Sequence, residues 1–545
     1  MSGPRGAGLS GRVQEAGAAV ACAGQDNAGV TLLQHATAGT MTDADGDACE
    51  QAPGTAGGGG SGPDGEEGTR PSAQCRRPEP DTHRPSPARG HRYDVVIVGS
   101  RLAGASTALL LARRGHRVLL IDRARFPGPA ATSANLIHPP GVHRLRTWGV
   151  LGRLTAHDIP AITRYSLRTA DVCLEAALPA VGDVDHALSP PRAALDHALV
   201  RCAVEAGADL REGATVQGLL RDASGAIAGV WGTSGGQPFT EKAALVIGAD
   251  GKHSRIARLV GAVKYRDEPV LSKSYWAHWS GLEQEPLART YRGRRQHAFT
   301  WSAHDGLTVV GVAWPAARFP AGLSDHDIDR AVIEAFHHAD ADFAQRLRGS
   351  VRAGRWLTGA VPNFLRTPHG QGWALVGDAG ATQDPITASG ITHAVLSAEL
   401  LADAVHEALT GARLMSHALA DYGCRRDLLI GDYYDCTRYY ARIRETSPAG
   451  RALIAAVSRS ERHARAMIGL LAATVPPADF YTRGVFRDLI GHLGDSAVLP
   501  RRIRFPRWLL RGLPGNPARA AALADRLIAR NLGPMGDLLL ASPRP

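Results

Sequence analysis

Tyr93-Asp-Val-Val-Ile-Val-Gly-Ser-Arg-Leu-Ala-Gly-Ala-Ser-Thr-Ala-Leu-Leu-Leu-Ala-Arg-Arg-Gly-His-Arg-Val-Leu-Leu-Ile-Asp122 is the stretch on which the fold turns. The apolar run Val95 to Val98 reads as a strand buried on both faces, Gly99 and Gly104 form a turn, and Ala105 to Arg114 has the small and leucine-rich pattern of a helix. A second strand, Val118 to Ile121, ends on Asp122. In such a βαβ unit a dinucleotide pyrophosphate sits at the helix N-terminus, and an acid roughly 20 residues beyond the glycines accepts a ribose hydroxyl. The expectation is a dinucleotide site. Arg101 stands where the G-x-G-x-x-G pattern has its second glycine, so the surrounding strand, turn, helix and acid carry the reading.

Working outward, residues 1–90 are rich in glycine, alanine, proline and small polar residues, including Gly57 to Gly60 and the proline-spaced run Arg77 to Pro87. Such a segment buries too little apolar surface to offset its ordering entropy, so a disordered leader is expected. The chain has 545 residues, of which 44% are hydrophobic, and no stretch approaches the roughly 20 apolar residues of a membrane span. Without a secretory signal pattern, a cytoplasmic enzyme is expected. Seven cysteines without C-x-x-C spacing suggest neither disulfides nor a metal site. The net charge of +10 is spread over single arginines with no nucleic-acid signature, so nucleic-acid binding is not expected.

After the opening unit, Leu136-Ile-His-Pro-Pro-Gly141 reads as an extended loop, because Pro139 and Pro140 oppose helix. That placement makes His138 a candidate for cofactor or substrate contact and, with His278 and His304, a candidate base. Pro191-Arg192 opens a helix closed by Gly207, and strands follow at Asp209 to Arg211, Ala214 to Leu220 and Ile227 to Trp231. Another buried strand leads to Gly248-Ala-Asp-Gly251. From Lys264 to about Phe319, aromatic and polar residues alternate, the mark of antiparallel strands with one covered face and of a pocket for an apolar or aromatic small molecule. Trp276 and Trp279 are the leading aromatic candidates for pocket or core. Asp325 to Leu347 reads as helix, then Gly377-Asp378-Ala379 and Asp384-Pro-Ile-Thr-Ala-Ser-Gly390 precede a long helix to about Leu409. Beyond Ala420 the chain reads as mostly helical. Leu499 to Arg511 interleaves arginines with apolar residues, a pattern suited to a solvated cap and, less so, to contact with an anionic membrane surface.

Taken together, the glycine-rich unit, the Asp-Gly segment and the Gly-Asp segment resemble the group A flavoprotein monooxygenases of the para-hydroxybenzoate hydroxylase type over roughly Tyr93 to Leu409. A narrower subgroup of FAD-dependent oxidoreductases is similar in its Gly-x-Arg-x-Ala-Gly turn, its Leu-Ile-His-Pro-Pro-Gly and its Asp-Pro-Ile-Thr-Ala-x-Gly-Ile. This chain departs from that subgroup at Ala134-Asn135, Ser389 and His393.

The resemblance implies an α/β fold: a Rossmann-like FAD-binding domain interleaved with an antiparallel-sheet substrate domain, followed by a helical C-terminal extension. The expected division is FAD binding at 91–165, 188–263 and 352–409, substrate sheet at 166–187 and 264–351, and helices at 410–545. Implied cofactor contacts are Gly99, Arg101, Leu102, Ala103, Gly104, Asp122 and Arg123 from the first segment and Asp250 and Gly251 from the second. Gly377, Asp378, Pro385, Gly390 and Ile391 are implied from the third, and Arg192 from the helix start. The implied reaction is reduction by NADPH or NADH, consumption of dioxygen and transfer of one oxygen atom to an electron-rich small molecule. Reductases of the geranylgeranyl-reductase type share the three segments. Flavin-dependent halogenases share Asp-Pro-x-x-x-Ser-Gly, but their Trp-x-Trp-x-Ile-Pro is not found here. A flavin-binding module without turnover completes the alternatives.

Overall fold

The computed structural model describes residues 93–128, 133–169, 172–293, 295–446 and 448–480. The leader and the arginine-rich stretch Leu499 to Arg511 lie outside these residues. In chain order, β1 (Tyr93–Val98), α1 (Leu102–Arg113) and β2 (Val118–Ile121) form the opening unit. Next come α2 (Pro139–Thr147), β3 (Arg164–Thr169), β4 (Val172–Ala177), α3 (Arg192–Glu205) and β5 (Asp209–Arg211). A meander follows, β6 (Ala214–Arg221), β7 (Ile227–Ser234) and β8 (Gln237–Gly248), then the short α4 (Arg255–Leu259) and β9 (Lys264–Glu268). The aromatic region supplies β10 (Ser272–Ser280), β11 (Leu287–Arg292), β12 (His297–Ser302) and β13 (Thr308–Pro315), followed by α5 (Asp325–Ala339) and α6 (Ala341–Arg348). The chain continues through β14 (Val351–Ala360), β15 (Asn363–Arg366), β16 (His369–Gly370), β17 (Trp373–Leu375) and β18 (Ala381–Thr382). Its described part ends in α7 (Gly390–Leu409), α8 (Met415–Ala441), α9 (Pro448–Ser458), α10 (Glu461–Leu471) and α11 (Pro477–Phe480).

Two large sheets organise these elements. The first has the order β16-β17-β8-β1-β2-β5, parallel from β17 to β5, with Val95 facing Val118 on one side and Leu245 on the other. Its strands are apolar throughout because both faces are covered. Helices α1, α3 and α7 pack one face through Leu109, Leu199 and Val395, while the meander and α4 cover the other through Val230 and Ile256. The second sheet, β14-β10-β13-β12-β11-β3-β4, is antiparallel except where β11 pairs with β3. Side-chain alternation divides it cleanly. Trp276 points to a cluster with Trp301, Tyr433 and Met467, whereas Tyr275 and Trp279 point to the opposite cluster under α5 and α6. The two tryptophans grouped by sequence pattern therefore lie on opposite faces, and α8, α9 and α10 cover the Trp276 face.

Several expectations change. Pro139 and Pro140 begin a helix instead of preventing one: at the first helical positions the missing N–H groups would have had no intrahelical partner, and the fixed φ suits the turn. His138, with extended φ and ψ, is the residue before that helix. The α1 helix starts at Leu102, three residues before the apolar pattern begins. Asp340 interrupts the helical stretch after Asp325, since its side chain accepts from the Phe343 N–H and caps a new helix. Finally, Val351–Ala360 pairs with β10, so the chain stays in the second sheet to Ala360 rather than leaving it at 352.

Candidate functional site

The three motif segments meet at the C-terminal ends of the parallel strands, the edge where open α/β sheets bind ligands. Packing requirements set their glycines. Gly99 has φ +106°, and a Cβ there would overlap the backbone of Ala249 in the second segment. A Cβ on Gly104 would overlap the Gly99 carbonyl, and one on Gly377 would lie 2.7 Å from the Cβ of Ala103. The glycines of the first and third segments thus let the segments touch one another. Arg101 has a φ of −87°, ordinary for any L-residue, so a side chain there strains no backbone torsion.

Asp122 holds the turn in place. Its Oδ2 accepts from the Ser100 N–H at 2.7 Å and its Oδ1 from the Ala124 N–H at 2.8 Å, and each oxygen retains a lone pair for a hydroxyl. Arg123 beside it is exposed, and Leu102 and Ala103 are buried in α1. Among the described residues the buried hydroxyl of Ser100 has no hydrogen-bond partner, and α1 has no side-chain cap. Free N–H groups at a glycine turn suit a phosphate.

In the second segment, Asp250 does local work. Its carboxylate accepts from the Ser254 hydroxyl at 2.5 Å and from the N–H groups of Arg255 and Ile256 at 2.6 and 3.2 Å, capping α4. Gly251, with φ +78°, has open space where a Cβ would project.

The third segment packs against the first, Gly377 lying on Ala103. Asp378 is accessible to solvent yet crowded by protein, the combination expected of a group lining a concave site. This crowding raises its carboxyl above the ordinary range, while Arg192 and Lys252 act in the opposite direction. Arg192 is itself paired with Asp196 at 3.0 Å, and Lys252 donates to the Ala360 carbonyl at 3.2 Å. Pro385 and Gly390 are exposed, Ile391 behind them is buried, and a Cβ on Gly390 would meet nothing within 4 Å. The open N-terminus of α7 therefore faces unobstructed space beside Asp378's segment.

The turn before α7 is held rigidly. Asp384, 1% exposed, accepts from the Ser272 hydroxyl (2.7 Å), the Ser272 N–H (3.0 Å) and the Ile386 N–H (3.1 Å), and its own N–H donates to the Asn363 side-chain oxygen at 2.8 Å. Burial moves its carboxyl up to about 6, against the pull of these donors. Ala388 has φ +53°, a left-handed conformation that costs a non-glycine residue about 1 kcal/mol or more and persists where its surroundings impose it.

His138 ties this turn to the second sheet. Its Nε2 lies 3.0 Å from the Thr387 carbonyl, which can only accept, so Nε2 carries the proton. Nδ1, 2.7 Å from the Tyr165 hydroxyl, is then the acceptor. Burial lowers the imidazole to about 4 and keeps it neutral. Both ring nitrogens are committed within the protein. Of the other two candidate bases, His278 is lowered to about 4 by burial and its neighbour His304, and His304 is bound to Asp305. Neither is brought to His138 by any contact in the structure.

A polar pair that the sequence reading did not select stands at the first turn of α7. His393 Nδ1 lies 2.6 Å from the Gln383 amide nitrogen, and its ring lies 5.4 Å from Tyr433. Burial, then His138, lowers His393 to about 3. The amide donates, so Nε2 carries the proton; that N–H and the Gln383 Oε1 are both buried without partners among the described residues. Tyr165, Gln383 and Asp384 were missed as site residues, although Asp384 lay inside the quoted Asp-Pro segment.

The FAD binding domain family matches residues 92–430. The chain belongs to that family. It is a flavin-dependent oxidoreductase, and its α/β architecture is that of group A FAD-dependent monooxygenases. It is 27% identical to a menaquinone reductase of Mycolicibacterium smegmatis over 361 residues, 63% of this chain and 81% of the relative. It is 26% identical to the 6-methylpretetramide 4-monooxygenase of Streptomyces rimosus over 367 residues, 63% of this chain and 82% of the relative. Among solved structures, the flavin-dependent brominase Bmp2 aligns with a TM-score of 0.60 at 19% identity, over 74% of this chain and 99% of that one. A probable FAD-dependent monooxygenase from Pseudomonas aeruginosa aligns with a TM-score of 0.55 at 21% identity, over 69% and 99%. These two alignments describe the fold alone. No helix among the described residues is long and apolar enough to cross a membrane.

Proposed function

We propose that the chain is a monooxygenase that uses NADPH or NADH, FAD and dioxygen to hydroxylate an apolar, ring-containing small molecule carrying an oxygen function. When bound, FAD supplies the redox chemistry, accepting a hydride and activating oxygen. The residues of this chain hold the cofactor, exclude water and position the acceptor. Gly99, Arg101, Leu102, Ala103, Gly104 and Arg123 shape the pyrophosphate turn, and Asp122 accepts from the ribose. Asp250, Gly251, Arg192, Gly377 and Asp378 line the middle of the cleft. Pro385, Gly390 and Ile391 present the α7 N-terminus to the ring, where helix N–H groups stabilise negative charge by about 0.3–2 kcal/mol.

The observation that carries this reading is the junction at His393. The first turn of α7 adjoins an aromatic cluster of Trp276, Trp301 and Tyr433, sealed by α8 to α10, and the unpartnered His393–Gln383 donor and acceptor stand at that junction. An apolar substrate with a phenolic hydroxyl, accepting from the His393 N–H and donating to the Gln383 Oε1, would satisfy both. His138 acts as a positioning residue for the Pro385–Ser389 turn.

A second reading, double-bond reduction of an isoprenoid chain, is favoured by the menaquinone reductase and by the digeranylgeranylglycerophospholipid reductase of Methanothrix thermoacetophila, 27% identical over 340 residues. Saturation needs a proton donor alongside the hydride. His138 is no such donor, since both its ring nitrogens are committed to Tyr165 and Thr387. The test is NADPH oxidation by FAD-loaded enzyme over a panel of polycyclic phenols and menaquinones under ¹⁸O₂ and under nitrogen. Substrate-dependent ¹⁸O incorporation is expected. Saturation of a prenyl double bond under nitrogen, with no labelled product in oxygen, would establish the second reading.

A further inference from the structure

Away from the cleft, two loops distant in sequence bring together His157, His304 and Asp305. His157 belongs to the loop that leads from α2 toward β3, and His304 and Asp305 form the turn between β12 and β13. The loops are fastened by their backbones: the Asp305 N–H donates to the Asp158 carbonyl at 2.7 Å, and the Asp158 N–H donates to Asp305 Oδ1 at 3.0 Å. This leaves Asp305 Oδ2 facing both imidazoles, 2.9 Å from His157 Nδ1 and 3.0 Å from His304 Nδ1.

We propose that His157, His304 and Asp305 form a binding site for a divalent transition metal of the zinc class, separate from the flavin chemistry. Three arguments support it. First, the spacing is close to that of a coordination sphere. Tetrahedral zinc with bonds of about 2.0–2.2 Å separates its ligands by about 3.3 Å, and the three ligand atoms here already lie within 4.8 Å of one another. Second, the donors select the metal. Two imidazoles and one carboxylate suit zinc and its neighbours, whereas calcium and magnesium require oxygen donors. Third, a neighbouring group is available to the assembly. His278 lies on β10 with its ring 5.6 Å from that of His304 and has a buried Nε2 without a hydrogen-bond partner among the described residues.

On metal binding, each imidazole moves its proton from Nδ1 to Nε2, and the two Nδ1–H···Oδ2 hydrogen bonds give way to metal bonds. No redox step is involved. Three protein ligands leave a fourth position for water or for a rotated His278, and the ion would lock the 157–158 loop to the edge of the second sheet.

The experiment titrates untagged, FAD-loaded, chelator-stripped enzyme with ZnCl₂ by calorimetry, with MgCl₂ and CaCl₂ in parallel. One saturable zinc equivalent per chain is expected, with no comparable heat from magnesium or calcium. Asp305→Ala and His304→Gln should each abolish it or weaken it at least tenfold with an unchanged flavin spectrum, while His338→Ala on the exposed face of α5 leaves it intact. His304→Gln preserves the Asp305 loop contacts and so decides the matter if Asp305→Ala fails to fold. Wild-type enzyme that takes up no saturable equivalent, or an equivalent retained by His304→Gln, overturns the site.

Discussion

Replacing Tyr165 with phenylalanine tests the tie between the second sheet and the turn before α7. The phenol donates to His138 Nδ1 at 2.7 Å, and both side chains are buried. Tyr165→Phe leaves Nδ1 as a buried acceptor without a donor, at a cost of about 1–3 kcal/mol. His138→Phe orphans two groups, the Tyr165 hydroxyl and the Thr387 carbonyl, and should cost about 2–4 kcal/mol, one to two such penalties. In the double variant neither hydroxyl nor imidazole remains to be orphaned, so its cost should fall short of the sum by about 1 kcal/mol or more. Urea unfolding of the FAD-loaded proteins, followed by tryptophan fluorescence, gives all four values. Because Thr387 is held by His138 at 3.0 Å, His138→Phe should also weaken FAD retention, whereas Tyr165→Phe should affect it less. Single costs that add within about 0.3–0.5 kcal/mol would refute the network, since independent sites behave that way.

Further outcomes follow from the same geometry. Gly390→Val projects its side chain into open space, so the variant should fold with near-normal unfolding behaviour yet hold less FAD, as flavin absorbance after gel filtration would reveal. Gly104→Val overlaps the Gly99 carbonyl and should lose stability and flavin together, with an unfolding midpoint well below that of Gly390→Val. Asp384→Ala removes three accepted hydrogen bonds around Ser272 and Ile386, and a stability loss of about 3 kcal/mol or more is expected from that many orphaned donors. Stability should also fall with acid. His138 and His393 titrate at about 4 and about 3 in the fold against about 6.5 when unfolded, so the unfolded chain binds more protons between these values. Their contribution is complete above about pH 6.5 and diminishes toward pH 4, by about 1.4 kcal/mol per pH unit for each histidine. Urea midpoints between pH 7.5 and 5 measure this, and the His393→Leu protein should show a shallower fall.

Much of the fold was legible because its signals are local. The β1-α1-β2 unit, the α3 helix opening at Arg192 and the α7 helix opening at Gly390 each combine a period with a boundary residue, and all are present, with α1 beginning three residues early. Boundaries failed where one residue has two roles. A proline pair breaks a helix from within but starts one at its first turn, and Asp340 inside a helical pattern serves as a cap. Val351–Ala360 gave no sign of which sheet it would join, because strand pairing is decided by partners far along the chain. The site divides in the same way. Gly99, Gly104 and Gly377 were readable as glycines that matter, yet their packing against Ala249, Gly99 and Ala103 was not. Tyr165, Gln383 and the His157–Asp305 contact carry no local signature, since each depends on a partner brought close only by the fold.

The most direct test of the account is the flavin itself. The untagged chain should elute from gel filtration with an oxidised-flavin spectrum, release FAD on denaturation at one equivalent per chain, and lose it when Gly390 is replaced by valine while the fold survives. A colourless protein that stays colourless after incubation with excess FAD, or full FAD occupancy in the Gly390→Val protein, would contradict it.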